Sequence, residues 1–266
     1  MKEKPWQLRL VRKSLKKKEK LRLIQTHLTV RPSFISLDLG CAQGILSYFL
    51  RRKGGSWVHT DLDFTNLKSS RPLLQKDLVQ IEEGMLPFKS HSFDLVACLD
   101  YLEHVADDSQ CLTEIYRVLK SGGKLVLATP HTGRFFILQK IRPALGLKLE
   151  FYGHKREGYS LKELKKKLRQ AGFKLTQHQT YSRLFTELLE LILNFLYIKV
   201  LSHKPADTLR DGHIRPSTPT EFHSQKKAFA LYSLIYPLIW LVSRLDRLLF
   251  FQRGYSLMVW AEKKRL

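Results

Sequence analysis

The chain has 266 residues, enough for one substantial core or a core with a small appendage. With 44% hydrophobic and 11% aromatic residues it folds as a globular protein, which excludes a disordered one. Its cysteines, Cys41, Cys98 and Cys111, are odd in number and form no CxxC pair. They argue against a disulfide framework or a zinc site and for a reducing compartment.

The lysine-rich start shows no apolar h-region of a secretory signal, so a cytoplasmic placement is expected. The net charge of +22 is unevenly spread. Residues 1–32 carry 11 basic and 2 acidic side chains, residues 33–131 carry 10 and 12, and residues 132–266 carry 25 and 10. A near-neutral middle is flanked by basic segments. Such a surplus attracts polyanions, either nucleic acid or anionic lipid headgroups, and charge alone does not choose between them.

In chain order, residues 6–29 read as one basic amphipathic helix with Leu8, Val11, Leu15, Leu21 and Ile24 among the lysines, stopped at Arg31-Pro32. Strand and helix signals then alternate. The apolar run Phe34–Leu39 leads into a helix over Gly44–Lys53, and Trp57–Thr60 is a strand ending in Asp61. A third strand is expected near Leu73–Gln75, a fourth at Phe93–Leu99, a helix over Glu103–Lys120, and a fifth strand at Lys124–Thr129. After the N-cap Ser160 come a basic helix, Leu161–Ala171, and a strand, Phe173–Thr180. Two oily runs follow, Leu184–Leu201 and Ala228–Phe251, and then a last strand, Tyr255–Ala261. The alternation predicts an α/β, doubly wound, Rossmann-like parallel sheet with helices on both faces.

The segment LDLGCAQG carries the most chemistry. A strand delivers Asp38, and Gly40 and Gly44 let the backbone turn tightly against a ligand before a helix begins. A dinucleotide fingerprint would need glycines where Ala42 and Ile45 stand, which weakens a nicotinamide reading. Asp61, at the end of the second strand, is placed to accept hydrogen bonds from both hydroxyls of a ribose. Asp77, expected to follow the third strand, is placed to meet an adenine amino group.

With GMLPFKSHSFDLVACLDYLEHV and EIYRVLKSGGKLVLATP, the set from Phe34 to Pro130 resembles the class I S-adenosylmethionine-dependent methyltransferases. The likeness is to the ubiquinone-type, or methyltransferase type 11, group. It implies S-adenosyl-L-methionine as cofactor and a seven-stranded sheet whose last strand is antiparallel. By resemblance Asp38, Gly40, Cys41 and Gly44 line the methionine end of the cofactor. Asp61 and Leu62 hold the ribose, Asp77 and Leu78 the adenine, and Leu99 and Asp100 face the methionine moiety. Ordinary core packing explains Leu62 and Leu78 equally well. Ala42 departs from the family, where many members have glycine.

Methyl transfer from a sulfonium is an in-line displacement in which the protein supplies alignment and sometimes a base. The candidate bases are His104, His131 and His154. His104 lies in DYLEH, similar to the D/E-x-x-E-H run of ubiquinone-pathway O-methyltransferases, where acids and histidine gather near the substrate, sometimes with a divalent metal. Asp100, Glu103 and His104 would share one helical turn, so a metal is geometrically possible, although no metal site is assigned. The alternative is that Glu103 and His104 merely begin a helix. His131 follows the fifth strand, and His154, Arg156 and Tyr159 lie in a loop that could cover a substrate.

The organisation expected is a basic N-terminal helix (residues 1–32), the methyltransferase core (33–182), a hydrophobic helical insertion (183–251) and the last strand (252–266). In the insertion Glu187, Glu190 and Asn194 share one face of an otherwise apolar helix. The second run holds sixteen uncharged residues, Ala228 to Ser243, fewer than the ~20 a span needs, and contains Pro237. Lys226, Lys227, Arg244, Arg247 and Arg253 flank it, as expected for a kinked or interfacial pair against an anionic leaflet. The competing reading is a cap over the substrate or a dimer interface.

Together these point to a methyltransferase acting at the cytoplasmic side of a membrane on a lipidic or lipid-linked acceptor, such as a quinone precursor or an envelope glycolipid. An RNA methyltransferase using the basic flanks is the competing enzyme. No D/N-P-P-Y run follows the fourth strand and no Pro-Cys nucleophile is present, which disfavours DNA-base chemistry and leaves RNA open, and nucleic acid is the less favoured partner. A non-catalytic membrane-bound scaffold is the third reading.

Overall fold

The computed structural model describes residues 5–133, 136–147, 149–197 and 219–264. Seven strands form one sheet in the order β3-β2-β1-β4-β5-β7-β6. They are β1 (Ile35–Leu39), β2 (Ser56–Asp61), β3 (Leu78–Gln80), β4 (Phe93–Leu99), β5 (Leu119–Pro130), β6 (Phe173–Tyr181) and β7 (Ser256–Lys263). β1 to β5 pair in parallel, and β7 runs antiparallel between β5 and β6. The expected class and the antiparallel last strand are both present.

Successive side chains of a strand point to opposite faces, so a sheet covered on both sides reads as an unbroken apolar run. β4 does this. Val96 and Cys98 join the core under α5 (Asp108–Val118) and α7 (Leu161–Gln170), through Leu112, Ile115, Leu164 and Leu168. Leu95, Ala97 and Leu99 face the other side, against Leu50 of α3 (Ile45–Arg51) and Leu23 and Ile24 of α2 (Leu15–His27).

Several expectations need correction. The basic N-terminal segment is two helices, α1 (Trp6–Arg12) and α2, because Ser14 caps α2 through its side chain, accepting the Lys17 amide. The third strand is not at Leu73–Gln75. Leu73 and Leu74 end α4 (Phe64–Leu74), whose N-cap Asp63 accepts the Thr65 amide. Asp77 therefore precedes β3 instead of following it. The helix expected over Glu103–Lys120 is a single 3-10 turn, Leu102–His104, followed by α5, which Asp107 caps by accepting two amides. β5 begins at Leu119, ahead of the expected Lys124, and carries the Gly122-Gly123 pair inside it.

Between β6 and β7 stand α8 (Leu184–Leu196), α9 (Pro219–Ser224) and α10 (Lys226–Ser243). The stretch of the first oily run beyond Tyr197 lies outside the described residues. α8 packs through Leu191 on Phe136, Leu147 and Tyr255, beside α6 (Ile137–Ala144). α10 is one helix with Pro237 inside it. Its buried residues are Tyr236 and Ser243, whereas Leu231, Leu234, Leu238, Leu241 and the following Leu245 form an exposed stripe at helical spacing. A packed surface helix turns its apolar stripe inward, and α10 turns it outward.

Candidate functional site

The carboxyl edge of the parallel strands opens into a cleft of about 750 Å³. Its floor is the loop after β1. Gly40 and Gly44 adopt left-handed φ values of 79° and 78°. A Cβ on Gly40 would lie 2.5 Å from the Tyr101 ring, so only glycine fits there. Ala42, between them, also sits at a positive φ of 46°, the conformation that glycine takes without strain. Asp61, ending β2, stands behind the loop. Its Oδ2 accepts the Ala42 amide at 2.7 Å and its Oδ1 accepts from the Asp63 amide and the Asn66 side chain. Burial raises the carboxyl pKa of Asp61, and these donors oppose the shift.

Of the residues expected to hold a cofactor, Asp38, Gly40, Cys41, Leu99 and Asp100 line the cleft. Asp38 is bound to His59 Nδ1 at 2.9 Å across the β1–β2 pair. Burial, with Asp38 and Asp61 nearby, pushes the Cys41 thiol far up, which leaves it a protonated wall residue and no nucleophile. Gly44 starts α3 behind the loop. Leu62 packs against the core. The geometry does not bring Asp77 and Leu78 to the cleft, because Leu78 pairs with His59, two residues before Asp61, at the entry end of β3.

The three candidate histidines separate. His131 is buried behind the sheet edge, with Nδ1 on the Gly254 carbonyl at 2.8 Å and its ring against Phe136, and it does not line the cleft. His104 and His154 both line it, edge to face at 4.8 Å between ring centroids. His104 Nδ1 lies 2.9 Å from the Gly153 carbonyl. That bond fixes the proton on Nδ1 and leaves Nε2 as the basic nitrogen.

Burial depresses both imidazoles, His104 in direction and His154 to about 3, the latter helped by His104 itself. Glu103 lies beneath them with its Oε2 accepting the Thr129 hydroxyl, and burial beside Asp100 raises it to about 8. Donor atoms of Glu103, His104 and His154 fall within 4.8 Å of one another, a spacing that could also hold a divalent ion. Asp100 does not complete that group, since it is ion-paired with Lys20.

The loop candidates Arg156 and Tyr159 turn away from the cleft. The Tyr159 hydroxyl donates to Asp108 at 2.7 Å, and Arg156 binds the same carboxylate together with the carbonyls of Val105 and Ala106. They brace the loop. Four elements supply lining that motif reading missed: Lys16 and Lys20 from α2, Arg142 from α6, Tyr181 from β6, and Glu187 and Glu190 from α8. One signal was available. Lys20 stands three and four residues before Leu23 and Ile24, on the buried stripe of its helix.

The sheet order, the glycine loop and the acid ending β2 define a class I methyltransferase fold, and residues 37–127 match the methyltransferase domain family. Among curated relatives, a ubiquinone biosynthesis O-methyltransferase of Xanthomonas oryzae pv. oryzae is 35% identical over 99 residues, 35% of this chain and 41% of that protein. The chain thus spans about two fifths of the length of that relative. Among solved structures, the [4+2]-cyclase SpnF aligns with a TM-score of 0.60 at 16% identity, covering 94% of this chain and 82% of its own. A SAM-dependent methyltransferase of Methanosarcina mazei aligns with a TM-score of 0.52 at 16% identity, covering 91% and 98%. These structural likenesses establish the fold. By family match and by fold, residues 37–127 are a methyltransferase domain of the class I S-adenosylmethionine-dependent superfamily.

Proposed function

We propose that the protein transfers a methyl group from S-adenosyl-L-methionine to a lipidic or lipid-linked acceptor at an anionic membrane surface. The glycine cradle supports the cofactor reading, because Gly40 lets the loop after β1 turn tightly against the Tyr101 ring and Asp61 holds the loop in shape. When bound, S-adenosylmethionine supplies an electrophilic methyl on a cationic sulfur. The chain supplies alignment and a proton acceptor. Nε2 of His104 takes the proton of an acceptor hydroxyl or amine, and His154 and the protonated Glu103 keep that pocket uncharged beforehand.

The observation that carries the membrane half is the outward apolar stripe of α10, continued by Phe250 and Phe251 at 80% and 76% exposure. The stretch Lys226–Arg247 is long and apolar enough to cross a membrane by length and composition. Its own helix, at 18 residues, is about 27 Å long, just short of the ~30 Å hydrocarbon core, so a position in the interface suits it better than a span. α8 connects this surface to the cleft, which it lines with Glu187 and Glu190.

The test is methyl transfer from labelled S-adenosylmethionine to polyprenyl phenols held in anionic vesicles, followed by mass spectrometry of the lipid. Incorporation that requires vesicles supports the reading. Equal rates on short, water-soluble analogues without vesicles would remove its membrane half, and absence of cofactor binding by calorimetry would remove all of it.

A further inference from the structure

α10 has two unlike faces. Leu234 and Leu238 belong to its exposed stripe, while Tyr236, between them in sequence, is only 6% exposed. At about 3.6 residues per turn, two residues are a little over half a turn, so Tyr236 faces inward where the leucines face outward. Pro237 beside it has no N–H, so the carbonyl of Ser233, four residues back, loses its helical donor. The Lys13 ammonium lies on that carbonyl at 3.5 Å, and 4.8 Å from the centre of the Tyr236 ring. The Lys18 ammonium donates to the Tyr236 hydroxyl at 3.2 Å, 5.4 Å from the same ring centre. The Tyr232 hydroxyl donates to the Lys13 carbonyl and ties the junction of α1 and α2 to α10.

Two ammoniums thus meet on one ring, and among the described residues neither is paired with a carboxylate. The ring face and the two neutral oxygens hold these cations in place without neutralising them. Like charges gathered on one ring repel each other, and an anion between them relieves the repulsion. Depth identifies the anion. An interfacial helix sinks its apolar face ~5–10 Å into the boundary between headgroups and acyl chains, and a helix with its side chains is ~10–12 Å across. With the leucines of α10 at that depth, the ammoniums on its inner side lie level with the lipid phosphates. Lys17 and Lys20, on either side of Lys18 in α2, line the cleft, so this spot is close to the cleft wall.

We propose that Lys13 and Lys18, seated on Tyr236, bind the headgroup phosphate of an anionic bilayer lipid and so fix which side of the molecule meets the membrane. This rests on the membrane reading and deepens it. The phosphate bridges the two ammoniums through charge-assisted hydrogen bonds. The basic N-terminal helices and the apolar α10 become one docking surface, built from residues outside the 37–127 stretch that the family match covers.

The test is sedimentation of the full chain with vesicles that contain phosphatidylglycerol and with vesicles of phosphatidylcholine alone. Losing one lysine's attraction to an anionic surface weakens binding roughly 5-fold, so Lys13→Gln with Lys18→Gln should lose roughly 10- to 30-fold on the anionic vesicles. Binding to phosphatidylcholine should not change. Lys162→Gln with Lys165→Gln removes the same charge from exposed positions of α7, across the sheet from α2. That pair lies beyond the reach of a screened surface and should change binding less than ~2-fold. S-adenosylhomocysteine affinity, measured by calorimetry, should be the same in every variant, since neither pair lines the cleft. Equal losses from the two pairs mean that net charge acts without a seat and overturn the proposal. So does RNA binding that Lys13→Gln with Lys18→Gln abolishes while vesicle binding stays at the wild-type level. If that double variant does not fold, Lys18→Gln alone, at an exposed position, carries the same comparison at roughly 5-fold. Wild-type protein that binds neither kind of vesicle overturns the membrane reading as a whole, a result separate from loss of the seat.

Discussion

The backbone amide of Ala42 donates to Oδ2 of Asp61 at 2.7 Å, which makes the loop after β1 and the acid ending β2 a single unit. The carboxylate expected to serve a ribose is also the part that shapes the glycine loop. Asp61→Ala removes an acceptor from three donors and should lower stability by about 1–3 kcal/mol. Cofactor affinity should fall more than ~10-fold, because loop shape and ligand contact go together. Calorimetry and a thermal melt on one sample check this, and unchanged affinity would dissociate Asp61 from the site.

Glu103 and His154 give opposite pH signatures. Between about pH 4.5 and 8 the unfolded chain has released the Glu103 proton and the folded chain keeps it, so this residue subtracts stability as pH rises through that window. His154, held down from 6.5 to about 3, is neutral when folded and charged when unfolded below pH 6.5, so it subtracts stability as pH falls. Glu103→Gln should therefore gain on wild type at pH 8 more than at pH 5. His154→Gln should gain at pH 4 more than at pH 7. Denaturant titrations at those pH values decide both, and parallel curves for mutant and wild type would refute the assignments.

Asp246, buried just after α10, caps the start of α8 from outside, accepting the amides of Arg183, Phe185 and Thr186 at 2.9, 2.8 and 3.2 Å. α8 has no side-chain cap of its own at Arg183. Asp246→Ala should cost about 1–3 kcal/mol by orphaning these buried donors. α8 lines the cleft with Glu187 and Glu190, and if that wall receives the proposed acceptor, acceptor KM should rise while cofactor affinity stays as it was. Urea unfolding together with binding assays tests the split.

On the apolar surface, Leu234 and Phe251 are 77% and 76% exposed. Leu234→Glu and Phe251→Glu together should sharply reduce sedimentation with anionic liposomes while leaving cofactor affinity unchanged. Wild-type binding should survive moderate salt because apolar burial backs the charge. Steeply salt-sensitive RNA binding without liposome association would instead favour the RNA reading.

The sheet was legible in the sequence because its strands are buried on both faces, and Phe93–Leu99 shows this as one apolar run. α4 was not, since PLL at its end reads as a short strand and its N-cap Asp63 stands among other acids. That slip moved Asp77 to the wrong end of β3. The glycine loop was legible because its backbone demands glycine locally. The Lys20–Asp100 pair was not, because it joins residues 80 positions apart and is specified only by how α2 packs on the sheet. His104 and His154 meet for the same reason, through the Gly153 carbonyl that the His104 ring reaches.

The segment between β6 and β7 departs after Ser182 and returns at Tyr255, and the Tyr255 amide donates to the Ser182 carbonyl at 2.8 Å. Its two ends are stitched to each other, so the sheet closes beneath it with no gap to bridge. In evolutionary terms that junction is a socket. The junction predicts that a segment of different length or polarity can be joined at Ser182 and Tyr255 with the sheet still closed, and on the proposed function such a chimera should take the donor's acceptor preference.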